Sequence, residues 1–467
     1  MDEEPGMKVL HCLHDYLPEQ VAGVEVYTNR LARRQAREHR VGLLFAELDP
    51  GRRTGDVIWG RDGEIETFSL AQNQRWARFE RTWRDPRLNP GFRVVLDRFA
   101  PDIVHVHHLL NLGTTLVDEV RSRRIPLVMT LHDHWWACAN GGQRFHPDRT
   151  RCDVLDARRC ARCTHALVGP ALALRGHRRR RAVQSRGTPP KFSDGTEAAT
   201  KVSAALFRRV RSVWEEAVGL AGEGRIEARW RSLRSIGSII DAFIAPSLDI
   251  LDAAVEFGLP AERVMLVRHG FPEGAIVHQR SVPDVARRFG YVGSLVPHKG
   301  VHILLRAFDD MPPDATLDIH GSVHDAPEYV RELRRLARHP GIRLRGERDP
   351  DRVRDILERL DCLVVPSLWR ENAPLSIQEA FAAGTPVIAS DLGGIPEQLS
   401  EGGGLLFEAG RIQALHSVLL RVARERGLLP SLAHTIPRVR SMQEHVADLD
   451  HLYRHILRTT AKAPCES

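Results

Sequence analysis

Short, almost uninterrupted apolar runs alternate along the chain with longer segments whose apolar positions recur at helical spacing. In the N-terminal half the runs are Met7 to Leu13, Val41 to Ala46, Ile103 to His108 and Pro126 to Asp133, closed by Asp241 to Ser247 and Val264 to Arg268. Val24, Tyr27 and Leu31 predict a helix over Val24 to Gln35. The C-terminal half repeats the rhythm, with strands predicted at Gly290 to Leu295, Ala315 to His320, Ile342 to Arg345, Cys362 to Pro366 and Pro386 to Ser390. Helical stretches at Val301 to Phe308, Glu328 to Ala337, Asp351 to Leu360 and Leu375 to Ala383 separate them. Strands apolar at nearly every position are covered on both faces, which is the signature of parallel sheets. The predicted fold class is α/β, two doubly wound parallel-sheet (Rossmann-like) domains at residues 1–272 and 285–435, joined near Gly270 to Arg288. In such sheets a ligand binds beyond the carboxyl ends of the strands, here in the cleft where the two domains face each other.

One segment breaks the rhythm. Residues 174–235 open with His177-Arg178-Arg179-Arg180-Arg181 and become helical, with Leu206, Val210, Val213, Trp214 and Ala217 on one face. Between Ala171 and Ser235 stand 15 basic and 6 acidic residues, a local +9 in a chain of net +7, so the remainder carries −2. A basic helix with an apolar stripe suits an anionic membrane surface through residues 175–235, and equally an ordinary insertion helix with solvated arginines. No helix-turn-helix, zinc-finger or aromatic RNA-binding pattern accompanies the charge, so nucleic acid is not an expected partner. At 467 residues, 42% hydrophobic and 27% charged, the chain is neither disordered nor fibrous. Its acidic start, MDEEPGMKVL, lacks an apolar signal core and no run is long enough to span a bilayer, so a cytoplasmic location, peripheral on the inner membrane face at most, is expected.

The chemistry concentrates between Cys362 and Glu397, CLVVPSLWRENAPLSIQEAFAAGTPVIASDLGGIPE. A buried strand ends at Pro366-Ser367, a loop carries Glu371, and a helix starts near Pro374 with Asn372 placed to cap it. The N-terminus of that helix is a natural diphosphate site, and Glu371 and Glu379 are two acceptors suited to hydroxyls at opposite ends of an extended ligand. A second turn, Gly393-Gly394, follows the next strand, and YVGSLVPHKG places Lys299 at the end of another. Lysine there neutralises phosphate as a compact cation. The features converge on a nucleotide or sugar-nucleotide held between two α/β domains.

The block PSLWRENAPLSIQEAFAAGTPVIASDLGGIPE closely resembles the donor site of retaining glycosyltransferases of family 4 (glycosyltransferase group 1), which have the GT-B fold, and Glu371 and Glu379 meet the family's E-x7-E signature. The resemblance extends to MKVLHCLHDYLPEQVAGVEVYTNRLA, PDIVHVHHL, VMTLHDHWW and YVGSLVPHKGVHILLRAF. It implies a nucleotide-sugar donor and a glycan, lipid-linked or small-molecule acceptor, with surface polysaccharide or glycoconjugate biosynthesis as the setting. Glu379 would hold the ribose hydroxyls and Glu371 the transferred sugar, with backbone N–H groups of Asn372, Ala373, Pro374 and Leu375 around sugar and phosphate (Pro374 lends only its position). Lys299 would neutralise the leaving diphosphate. His132 would approach the donor sugar, and Gly23 would let its backbone come close. The resemblance further implies that no cofactor is required for catalysis, and that the closing helix, residues 436–460, crosses back to the N-terminal domain.

Two positions depart from the family pattern. Ser294 stands after Gly293 where the family carries an arginine, with Lys299, Arg370 and Arg268 as candidate substitutes, and Ala22 replaces the first glycine of a Gly-Gly pair. Ser294 keeps open a catalytically silent carbohydrate- or partner-binding protein; a sugar-nucleotide epimerase is a second alternative on the same fold. His105, His107, His108, His132 and His134 cluster at strand ends, but a zinc enzyme is not the expectation. Cys138, Cys152, Cys160 and Cys163 lie within 26 polar residues at spacing C-x13-C-x7-C-x2-C. They are candidates for a structural zinc site, with free thiols as the other reading.

Overall fold

The computed structural model describes residues 6–17, 22–73, 78–165, 222–272, 280–324, 326–347, 349 and 352–461. Two sheets organise them. The first has eight strands in the spatial order Val57–Asp62, Ile65–Ala71, Arg40–Glu47, Lys8–Leu13, Ile103–Val106, Leu127–Thr130, Ala242–Ala245, Val264–Leu266. The second has six, in the order Ile342–Gly346, Thr316–His320, Arg288–Val292, Cys362–Val365, Val387–Ser390, Gly404–Phe407. The central strands are buried at every residue, as their composition requires.

The sheets differ from the expectation at their edges. Val57–Asp62 runs antiparallel to Ile65–Ala71, in a first sheet otherwise parallel, and Gly404–Phe407 adds an edge strand to the second. Val57–Asp62 and Ile65–Ala71 carry polar residues where one face meets water, so they lack the continuous apolar runs of the central strands, whereas Gly404–Phe407 is apolar throughout but only partly buried at the sheet edge. Asp62-Gly63 was the legible signal for the hairpin: Gly63 takes a φ of +63° and opens a two-residue loop.

One face of the first sheet is covered by Phe92, Leu96 and Phe99 of the helix Asn89–Phe99 and Leu116, Val117 and Val120 of Thr115–Ser122. The other is covered by Tyr27 and Leu31 of the helix Gly23–Gln35, together with Met442, Val446, Leu449, Tyr453 and Ile456 of the helix Met442–Ala461. Those five recur every three or four residues, a single apolar stripe. The last helix of the chain thus packs on the first domain. Its start is fixed by a capping box: Ser441 N–H donates to Glu444 Oε2 at 2.9 Å, and Glu444 N–H donates to Ser441 Oγ at 3.1 Å.

The apolar stripe from Leu206 to Ala217 lies outside the described residues. The remainder of the basic segment, residues 222–237, is a helix packed on its own domain, with Ile226, Leu233 and Ile236 buried. Of its arginines Arg229 is buried, while Arg225, Arg231 and Arg234 are exposed, Arg234 donating from Nε to the Phe257 carbonyl at 2.7 Å. The apolar face of this part of the segment is therefore taken up by its own domain. Among the described residues no helix is long and apolar enough to cross a membrane.

Replacing Leu449 by alanine should cost about 2–5 kcal/mol, since it opens a cavity between the last helix and the first sheet. A urea titration should show the lower midpoint.

Candidate active site

The strands Arg288–Val292 and Cys362–Val365 are neighbours, so the turns at their carboxyl ends lie side by side. Gly300, at φ +72°, lets the Lys299 turn pass against the Pro366 carbonyl, where a Cβ would collide. Lys299 Nζ then reaches Glu371 Oε1 at 2.7 Å, and Ser367 Oγ donates to the same oxygen at 2.6 Å. The ammonium also sits 5.0 Å from the centre of the Trp369 ring. Burial alone would push the Glu371 carboxyl up; Lys299, with Ser367 and Trp369, outweighs it and holds the group below its usual value.

Gly393-Gly394 wraps this loop. Gly394 N–H donates to the Glu371 carbonyl at 2.7 Å, and a Cβ on either glycine would strike backbone of Glu371 or Asn372. Asn372 does not cap the following helix. That helix, Leu375–Ala382, has Pro374 as its N-cap and no side-chain cap, which leaves its leading N–H groups to a ligand. The Asn372 amide instead joins the two domains: Nδ2 donates to the carbonyls of Leu131 (3.0 Å) and His132 (3.2 Å), and Oδ1 accepts from Ser247 Oγ at 2.8 Å. The carbonyls left at the end of the strand Leu127–Thr130 are the stronger attraction. Ala373, Pro374 and Leu375 are half-buried, and Leu375 lies against Gly23, the first residue of the helix Gly23–Gln35. Glu379 is 3.3 Å from Arg30 of that same helix.

From the N-terminal side the half-buried His132 faces this loop, its ring 5.0 Å from Tyr27 and 5.4 Å from His269. A chain of hydrogen bonds fixes its tautomer. Gln35 Nε2 donates to Asp450 Oδ1 (3.4 Å), which turns Gln35 Oε1 toward His11 Nε2 at 2.8 Å. His11 Nδ1 then accepts from His107 Nε2 at 2.9 Å, and His107 Nδ1 accepts from His132 Nε2 at 3.2 Å. Burial, the largest effect in each case, holds His11 down at about 4 and His107 and His132 well below the usual imidazole value, so all three are neutral. The Nδ1 of His132 is left as the lone-pair nitrogen. His11, His105 and His107 have ring nitrogens close enough to hold an ion. All six are engaged, those of His105 by Tyr453 and Thr130, so the cluster is a hydrogen-bonded one. His108 bonds Asp133 (3.1 Å), and His134 lies 3.8 Å from Asp249.

Gly293 bonds the His320 carbonyl through its N–H, and the Ser294 carbonyl accepts from Tyr291 Oη at 2.8 Å. Both candidate arginines are already paired in this structure. Arg370 is paired with Asp249 and Arg268 with Glu397, both across the cleft. Of the residues predicted for the site, Lys299, Glu371, Asn372 and His132 come together, with Glu379 and Gly23 along one side. Cys138, Cys152, Cys160 and Cys163 form a separate lobe beside it, the last two on the helix Ala157–His165, and none of the four is in a disulfide.

Sequence reasoning passed over Arg30, Gln35, His269 and Glu25. The last has the clearest signal, standing two residues after Gly23. It is fully buried, 3.2 Å from His14, and burial raises its carboxyl to about 8.

Two family models match the chain, Glycosyl transferases group 1 over residues 276–438 and Glycosyltransferase Family 4 over residues 21–185. The chain belongs to the group 1, family 4 glycosyltransferases. It is 29% identical over 180 residues to a lipopolysaccharide 1,2-N-acetylglucosaminetransferase of Salmonella typhimurium, a match covering 35% of this chain and 47% of the relative. It is 30% identical over 199 residues to a D-inositol 3-phosphate glycosyltransferase of Corynebacterium urealyticum, covering 40% and 47%. The chain thus spans about half the length of these curated relatives. Its fold is that of sucrose-phosphate synthase from Thermosynechococcus elongatus, with TM-score 0.63, 16% identity, and 97% of this chain and 100% of that one covered. Anabaena HepE in complex with UDP and glucose gives TM-score 0.60 at 17% identity, covering 96% and 100%. The fold is GT-B.

In this group 1 chain the raised carboxyl of Glu25 has a consequence for stability. Between its usual value of 4.5 and about 8 the unfolded chain has lost the proton that the folded protein keeps. Stability from this group is therefore full below pH 4.5 and is lost as pH rises towards 8. Glu25→Gln should raise the melting temperature more at pH 8 than at pH 5, measured by calorimetry at both values.

Proposed function

We propose that this chain is a metal-independent, retaining glycosyltransferase that holds a nucleotide-sugar donor across the cleft. The observation that carries the reading is the Lys299–Glu371–Ser367 group at the ends of adjacent strands, beside an uncapped helix N-terminus and opposite His132. A cation and free backbone N–H groups together suit the charge that grows on a departing diphosphate. In this reading Glu379 accepts the ribose hydroxyls once Arg30 yields it. Glu371 and the backbone from Asn372 to Leu375 hold the sugar. His132, with its proton committed to His107, offers Nδ1 as an acceptor for a sugar hydroxyl.

The reaction breaks the bond between the anomeric carbon and the diphosphate oxygen and forms one to the acceptor oxygen on the same face. The acceptor hydroxyl gives its proton to the departing phosphate, so no side chain has to carry it. The acceptor is a glycan, a lipid-linked sugar or a small polyol. The Salmonella relative's name points to the first class and the Corynebacterium relative's to the last. HepE, solved with UDP and glucose, makes UDP-sugars the first donors to test.

A thermal-shift screen with UDP-, GDP-, ADP- and dTDP-sugars should stabilise the wild type with one base and leave Glu379→Ala unmoved. At about 100 times the dissociation constant the effect is roughly 2.7 kcal/mol. A response to none of the four would remove the donor site from consideration. In a turnover assay with the donor so found, Lys299→Ala should lower kcat by about 10²–10³-fold, the usual loss when one charge-stabilising group is removed. Donor bound but never consumed by the wild type would instead mark a silent binder, and donor converted without acceptor would mark an epimerase.

A further inference from the structure

The lobe carrying four cysteines has too little apolar material to hold its own shape. Its small cluster is Phe79, Cys160, Ala161 and Ile226, two of which come from elsewhere in the chain. Yet the backbone is tightly specified. Gly141 and Gly142 take positive φ, and so do Arg144 at +48° and Arg149 at +67°, which costs a non-glycine residue. Phe145 bridges Arg151, and the buried Arg144 donates from Nε to the Cys152 carbonyl at 3.0 Å and from a terminal nitrogen to the Asp153 carbonyl at 2.7 Å.

The four sulfurs share one neighbourhood. Cys160 lies within electrostatic reach of Cys138, Cys152 and Cys163, and Cys163 within reach of Cys138 and Cys152. Cys138, Cys152 and Cys160 are buried, Cys163 half-buried, and none is in a disulfide. Cys160 and Cys163 stand three apart on one helix, so they present sulfurs to the same side. His146 puts Nδ1 2.8 Å from Cys163 Sγ.

A second observation points to the same place. Arg229 is among the largest fully buried side chains, at 1% exposure, and its guanidinium meets the carbonyls of Trp135 and Trp136 rather than a carboxylate. It lies within electrostatic reach of Cys138, of Cys160 and of the Asp133 carboxylate. Asp133 balances part of this buried charge, and thiolates at Cys138 and Cys160 would balance the rest where neutral thiols do not.

We propose that Cys138, Cys152, Cys160 and Cys163 bind one structural zinc ion as thiolates. Four S–H protons pass to solvent as four Zn–S bonds form, leaving a site of net charge −2 beside Arg229. His146 donates Nδ1–H to the Cys163 sulfur. Soft thiolates in this number select zinc over hard cations. Among the described residues, two other sets have ligand atoms within 4.8 Å of one another: the histidine trio, and Glu38, His39 and Asp450. The four sulfurs are not so close, so side-chain rotation draws them onto the ion. The ion's role is mechanical. The lobe crosses the cleft: Arg149 grips Glu332 of the second domain at 3.0 and 2.8 Å, and Phe145 packs 6.1 Å from His298, the neighbour of Lys299.

Elemental analysis of the full-length chain, purified without added metal, should find about one zinc per chain. Cys160→Ser and Cys163→Ser should each lower that several-fold, while Cys465→Ser should not. Exchange of the wild type into cobalt(II) should give the intense thiolate charge-transfer absorption of a tetrahedral sulfur site, a readout that needs neither turnover nor a folded variant. Zinc below about a tenth of an equivalent, with no such absorption from cobalt, would overturn the proposal. So would zinc fully retained in both serine variants. Activity enters neither outcome, so the proposal stands or falls apart from the reading of the cleft.

Discussion

The side-chain amide of Asn372 is the point on which the cleft depends. Parallel strands end in carbonyls with no partner, and the strand Leu127–Thr130 delivers two of them, from Leu131 and His132, to the boundary between the domains. Both go to one donor group, Asn372 Nδ2, whose oxygen is taken by Ser247. The residue is fixed in turn by Gly394, whose missing side chain leaves room for the Asn372 carbonyl. Glu371 is therefore held on one side by Lys299 and on the other by a neighbour locked to the opposite sheet. Around this contact the charged pairs Arg370–Asp249, Arg268–Glu397 and Arg30–Glu379 all cross the cleft. Being partly exposed, they set orientation more than they add stability.

Behind the cleft the electrostatics are of the opposite kind. Tyr27, His11, His105, His107, His269 and His445 are buried together, with Tyr27 Oη 2.6 Å from His445, and the half-buried His132 joins them at the cleft. Imidazoles packed so closely repel one another when charged and lose hydration when buried, so both effects act in one direction and keep them neutral. Neutral imidazole is a donor at one nitrogen and an acceptor at the other. A row of such rings therefore has a direction, set at one end by the Asp450 carboxylate, which only accepts.

The fold was legible where burial is complete. Strands such as Ile103–Val106 and Val387–Ser390 announce themselves because every side chain is enclosed, and the helices between them keep one apolar face. Edge strands meet water on one side, so Val57–Asp62 looked like a polar connection, and Gly404–Phe407 was passed over although its four residues are apolar. In the candidate site, Lys299 and Glu371 were legible as neighbours because both stand just beyond strand ends, and they meet at 2.7 Å. Asn372 was placed correctly but given the wrong task, since sequence shows the helix it precedes and not the carbonyls waiting across the cleft. Gln35 and His11 lie 24 residues apart and Gln35 and Asp450 lie 415 apart, and no local pattern encodes a line drawn through all three.

The helix Met442–Ala461 supplies five of the side chains that close one face of the first sheet, although that sheet begins at Lys8. On the ribosome, the first sheet therefore emerges with a bare apolar surface that persists until the helix Met442–Ala461 has been made. Its first strands wait through the synthesis of an entire second domain for their cover. Lys8–Leu13 and Met442–Ala461 mature together, and a protein stopped short of that helix would reach the cell with the surface open to any passing chain.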